Sequence, residues 1–282
     1  MKRLLMVLGV LALVPAYAGA QGIDPRCTQP GTQNGCVDWT NGLAIAIGTG
    51  APASYATSAA QKNITAMRAA KLDAARNILE LVKGVNISAT TTVEGAMVAN
   101  DTVQTSIQGK LAGLREVGNP KYFSDGSVQI KLEARLNDVV PQELYAGSGE
   151  PMQLTPAGSP AGGSNLGGGA AYTGLIIDAR GTGVAPAMSP KIFDSQDREV
   201  YGSAYISREW AVQHGVVGYV KTMEQAAAND RVKGNPAVIK AVRTSGNAKT
   251  DLVISQADAD SLRNLAQQQT FLRESRVLIL LD

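Results

Sequence analysis

The stretch Asp125-Gly126-Ser127-Val128-Gln129-Ile130-Lys131-Leu132-Glu133-Ala134-Arg135-Leu136 carries the clearest structural signal in the chain. Val128, Ile130, Leu132, Ala134 and Leu136 alternate with Gln129, Lys131, Glu133 and Arg135, the period of a strand with one face buried and the other wet. Ser124-Asp125-Gly126 reads as a hairpin turn, so a partner strand is expected in 111–123, interrupted near Gly118-Asn119-Pro120.

Upstream the period changes. Ile64, Met67, Lys71, Ala74, Ile78 and Leu81 recur in steps of three and four, which predicts one long helix over 55–83 that Gly84 terminates. Val85, Ile87, Ala89, Thr91 and Val93 then alternate with polar residues and predict a half-buried strand. A short helix is expected over 102–110, capped by Asn100 or Asp101. A helix laid on a small antiparallel sheet makes 55–145 an α+β domain.

Farther out, Cys27 and Cys36 flank a turn-rich segment and are expected to pair, stapling residues 21–54. Lys2 and Arg3, the apolar run from Leu4 to Val14 and the small-residue pattern ending at Ala18 or Ala20 have the order of a secretory signal peptide over 1–20. That run is too short to span a bilayer, and no transmembrane segment is expected. The exported chain is then expected in the periplasm, at the outer membrane or outside the cell.

On the other side, residues 146–171 hold eight glycines, three prolines and one charge, which predicts a flexible linker. Residues 172–282 read as a second, mixed α/β domain. It has a strand near 173–179, a hairpin joining 191–193 to 199–201, a short helix over 207–214 and a helix over 223–232. Strands over 237–243 and 251–254, a helix opened by the Ser255-Gln256-Ala257-Asp258 cap and a terminal strand in Arg276–Asp282 complete it. The last of these is apolar enough to be central and buried on both faces.

Lys and Arg number 26 against 24 Asp and Glu, and without Lys2 and Arg3 the charges balance. Balance argues against a nucleic-acid partner, which requires a local excess of cations. One histidine and two cysteines leave little for a metal centre, and no cofactor or metal site is expected. His214 has no nucleophile motif beside it and reads as a helix-end residue. Asp194, Asp197 and Glu199 lack the spacing of a calcium loop and read as solvated turn residues. Asp258 and Asp260 read as the acidic first turn of a helix. Asp178 and Arg180 share a strand face and could meet a ligand or another subunit, or simply pair. No catalytic residue is identified.

Ala74-Ala75-Arg76-Asn77-Ile78-Leu79-Glu80-Leu81-Val82-Lys83-Gly84-Val85, with Thr90-Thr91-Thr92-Val93, Gly109-Lys110-Leu111, Tyr122 and Asp125-Gly126-Ser127-Val128, resembles a bacterial envelope domain. That domain is shared by the amino-terminal domain of the flagellar assembly protein FlgT and by flagellum-associated outer-membrane lipoproteins. The resemblance covers about 55–140. Gly174-Leu175-Ile176-Ile177-Asp178-Ala179-Arg180-Gly181, with Pro186–Pro190 and Glu199–Gly202, resembles a carboxyl-terminal module of such proteins. It implies a non-enzymatic, self-associating structural or assembly protein with envelope or flagellar partners. No cysteine stands at either expected cleavage site, so the lipoproteins' anchor is not implied. The alternative expectation is a periplasmic ligand-binding protein with a pocket in the carboxyl-terminal domain near Asp178 and Arg180.

Overall fold

The computed structural model describes residues 24–282 apart from 115, 148, 158–165 and 167–169; the expected signal peptide and its cleavage sites at Ala18 and Ala20 lie outside the described residues. The first module contains β1 (Gln29–Thr32), β2 (Gly35–Asp38), β3 (Leu43–Gly50), α1 (Ala59–Lys83), α2 (Val93–Ala99), α3 (Asp101–Ala112), β4 (Lys121–Tyr122), β5 (Val128–Arg135) and α4 (Leu136–Val139). Its sheet is antiparallel, in the order β1-β2-β3-β5-β4. The fold is α+β, with α1 lying on one face of that sheet.

Close approach places α1. Ala66, Ala70, Ala74 and Ile78 form its buried line. Beneath them Gly48 and Gly50 of β3 pair with Ile130 and Val128 of β5 and so share the buried face. A Cβ on Gly48 would stand 2.1 Å from the Ala74 nitrogen, and one on Gly50 would stand 2.3 Å from the Ala66 oxygen. The helix backbone therefore rests almost directly on the strand backbone. Ile64, expected in the core, is instead half exposed, because the seam runs through alanines four residues apart.

Residues 21–54 do more than carry a staple: 29–50 supply three of the five strands. The outer face of the sheet is crossed by 24–28. There Asp24 is buried and accepts from Arg26 Nε at 2.8 Å and from Lys131 Nζ at 2.9 Å, while Arg26 also pairs with Glu133. Cys27 and Cys36 are disulfide-bonded with a Cα–Cα distance of 5.7 Å, fixing this crossing segment to β2. Replacing both cysteines with serine is expected to lower stability by about 2–3 kcal/mol, measured by urea unfolding.

Two predicted strands change identity. The alternation over 85–93 survives as burial of Val85, Ile87 and Val93, yet only the single bridge Asn86–Thr92 forms. The Thr92 side chain accepts from the Gly95 N–H and opens α2 at Val93, converting the end of the expected strand into a helix. Over 111–123, α3 continues to Ala112, and among the described residues pairing is confined to β4 and a bridge at Glu116. The Asn100 cap, the turn at Gly126 (φ +82°) and β5 match the expectation.

The second module contains β6 (Gly174–Asp178), β7 (Ile192–Phe193), β8 (Glu199–Tyr201), α5 (Arg208–His214), β9 (Gly218–Val220), α6 (Met223–Ala228), β10 (Pro236–Ser245), β11 (Asp251–Ile254), α7 (Gln256–Leu265) and β12 (Val277–Leu280). Its mixed sheet runs β8-β7-β11-β10-β6-β12-β9, with β12 parallel to both β6 and β9 and fully buried, as its apolar run requires. Strand β9 was not foreseen, and α6 stops at Ala228, short of the expected Val232.

The linker expectation for 146–171 needs correction where residues are described. Leu154 and Leu166 are buried. The Leu154 carbonyl accepts from Gln267 at 2.6 Å, Ala157 donates to Asn264 at 3.1 Å, and the Ala170 carbonyl accepts from Gln269 at 2.8 Å. The average composition hides these anchor points. The two modules also share a continuous apolar core. Met188 and Ser189 donate backbone hydrogen bonds to Asn86 and Ile87 at 3.0 and 2.8 Å, and the Trp39 and Tyr219 rings meet edge to face with centroids 5.5 Å apart.

Candidate functional site: the cleft between the modules

The seam between the modules opens into a cleft. Its first lobe, about 430 Å³, lies between the β2–β3 turn and α4 on one side and the end of α5 and β9 on the other. A second lobe of about 430 Å³ shares Thr40, His214, Gly218 and Arg231 with the first.

Local sequence builds the wall. The Ser207 side chain accepts from the Trp210 N–H and starts α5, and Gly215 at φ +78° ends it. Trp210 and His214, four residues apart, share a helix face, and their rings stack with centroids 4.8 Å apart. The carbonyls of His214 and Gly215, left without helical partners, accept from Arg231. Arg231 Nη1 also donates to the Ser275 carbonyl at 2.6 Å and its Oγ at 2.7 Å, while Ser275 Oγ donates to the Gly215 carbonyl at 2.6 Å. One guanidinium thus ties the end of α5 to the residues entering β12.

Burial, and then the positive Arg231 beside it, push the His214 imidazole below its ordinary range, against a hydrogen bond with the Trp210 backbone. Its ring is therefore neutral at pH 7. Burial raises the Tyr219 hydroxyl, which donates to the Ala187 carbonyl at 2.8 Å and accepts from the Ala187 N–H at 2.9 Å, closing the floor. Among the described residues no hydroxyl, thiol or carboxylate hydrogen-bonds the His214 ring, and no group of three or more His, Cys, Asp or Glu residues could hold a metal ion.

The residues singled out in sequence fall elsewhere, His214 apart. Asp178, at the end of β6, accepts from Arg180 Nε at 2.9 Å and Nη2 at 2.7 Å; that guanidinium holds its carboxyl below the usual range, and neither residue lines the cleft. Asp194 is not a solvated turn residue. Its fully buried carboxylate accepts from Arg263 at 2.7 Å, Arg198 Nε at 2.8 Å and the Gln196 and Arg198 N–H groups at 2.9 Å each. Asp197 pairs with Arg243 and Glu199 with Lys191. Asp258 accepts from Ser255 Oγ at 2.7 Å, and Asp260 pairs with Arg263. Trp39, Arg135 and Arg231, which line the cleft, carried no local signal because the site joins segments far apart in the chain.

No helix among the described residues is long and apolar enough to cross a membrane. No curated protein matches the chain. Residues 174–282, which span the second module from β6 to the chain end, are similar to the family described as the second domain of Treponema pallidum Tp0624.

Proposed function

We propose that this protein is an exported, non-enzymatic structural or assembly component of the bacterial envelope, acting by self-association and by contact with other envelope proteins. The observation that carries this reading is the exposed end of the first module. Strand β4 closes the sheet with no neighbour beyond it among the described residues, and Tyr122 and Phe123 at its end are 59% and 47% exposed. Tyr55 (79%) and Ile64 (51%) flank the same end, where Tyr122 Oη lies 3.9 Å from Met67 Sδ on α1 and Thr65 holds Ala53. An unpaired edge beside exposed aromatic residues invites another chain. The resemblance of 55–140 to the FlgT-type domain supports the envelope location and makes flagellum-associated proteins the first partners to test. The competing pocket near Asp178 and Arg180 gains no support from two side chains that satisfy each other.

Size-exclusion chromatography with light scattering tests the proposal. The mature protein should increase in mass with concentration, and a Tyr122→Lys/Phe123→Lys variant, altered at exposed positions, should stay monomeric with unchanged thermal stability. A wild-type protein that remains monomeric at every concentration contradicts self-association.

A further inference from the structure

We infer that the cleft between the modules binds a small anion, a carboxylate- or phosphate-bearing molecule, through the guanidinium groups of Arg231 and Arg135. The charge inventory of the cleft leads there. In the second lobe each acid has its own cation: Glu274 pairs with Arg276 at 2.8 Å and Asp230 with Lys233 at 3.7 Å. Arg231, common to both lobes, meets only uncharged acceptors, namely the carbonyls of His214, Gly215 and Ser275 and the Ser275 hydroxyl. Arg135 lines the first lobe without a carboxylate within ion-pair distance among the described residues, and the acid left there is the exposed Asp138. The first lobe, lined by Arg135 and Arg231 against Asp138, therefore carries one more cation than anion, and in the second Arg231 is the cation left over once Asp230 has paired with Lys233 outside the lining.

A partly buried guanidinium without a counter-charge gains when an anion completes it. Burial presses the proton affinity of Arg231 downward, so its surroundings oppose the charge they enclose. Three of its five N–H groups satisfy the contacts above. The Nε–H and one Nη2 hydrogen remain, and this is the edge that Arg26 and Arg180 present side-on to a carboxylate elsewhere in the chain. At Gly218 a side chain would meet Nε at 3.0 Å, so glycine leaves that edge uncovered. The neutral His214 ring stacked on Trp210 adds a flat wall without adding charge. This site is separate from the β4 edge and stands whether or not the chain self-associates.

The chain has two tryptophans, and both line the cleft, so intrinsic fluorescence reads its occupancy directly. Inorganic phosphate and citrate, titrated into the purified protein at low ionic strength, should each give a saturable change, with glucose as the uncharged control. Arg135→Gln should weaken the response about tenfold, and Arg231→Lys should weaken it further by removing the fork. Arg180→Gln, remote from the cleft, should bind as wild type does. Should Arg231→Lys fail to fold, Arg135→Gln, at an exposed position, still decides. The inference is overturned if neither anion gives a saturable change, if glucose matches them, or if Arg135→Gln binds like wild type.

Discussion

Gly48→Ala is expected to lower the melting temperature by about 6–12 °C, the shift that roughly 3 kcal/mol produces in a chain of this size. One methyl group would meet the Ala74 nitrogen at 2.1 Å and the Ala70 oxygen at 2.3 Å. Both are backbone atoms of α1, so no side chain can swing aside, and the helix must lift from the sheet. Lifting it opens the packing of Ala66, Ala70, Ala74 and Ile78, all with no exposed surface. Gly109→Ala supplies the contrast. Gly109 lies inside α3 with nothing near its Cβ position, so the same substitution there should stabilise by about 0.5–1 kcal/mol. Thermal unfolding followed by circular dichroism measures both, and equal effects would show that α1 does not rest on β3 as described.

Asp194→Ala is expected to cost about 3 kcal/mol, because it removes a fully buried carboxylate and leaves Arg263, whose side chain is only 8% exposed, with Asp260 as its one remaining acid. Burial alone would raise the Asp194 carboxyl. The Arg198 and Gln196 N–H groups and the Arg263 and Arg198 guanidinium groups outweigh it and hold the carboxyl at about 2. A folded-state value below the unfolded 3.8 means that ionised Asp194 stabilises the fold above that pH, and the contribution fades as pH falls from 3.8 towards about 2. Roughly 2 kcal/mol is at stake in that window. Asp24, held low by Arg26 and Lys131, acts in the same direction. Denaturant unfolding across the window should show a steep loss of stability in wild type and a shallower one in Asp194→Asn. Parallel curves would mean that Asp194 is not ionised in the folded protein.

What could be read from the chain depended on how local the physics is. The β5 alternation, the α3 cap, the Gly126 turn and the buried β12 run each declare themselves within about ten residues. Strand β3 was missed because Leu43-Ala-Ile-Ala-Ile-Gly-Thr-Gly50 shows small residues on its buried face. Those residues make sense only against the alanines of α1, and the same seam explains why Ile64 stays outside. The alternation of 85–93 misled because a loop pinned by Val85, Ile87 and Val93 buries alternate residues without a ladder. His214 was visible as a helix-end histidine, yet its cleft is completed by Trp39, Arg135 and Arg231, which no local spacing unites.

Hydrogen exchange at the Tyr122 amide tests the central claim most directly. Phe123 donates to Ser127 across the hairpin, so by the alternation of an antiparallel ladder the Tyr122 N–H points away from β5, towards whatever covers the edge. If copies associate through β4, protection at Tyr122 rises steeply with protein concentration. Fast exchange at Tyr122, unchanged from dilute to concentrated solution, would contradict an assembly built on this edge.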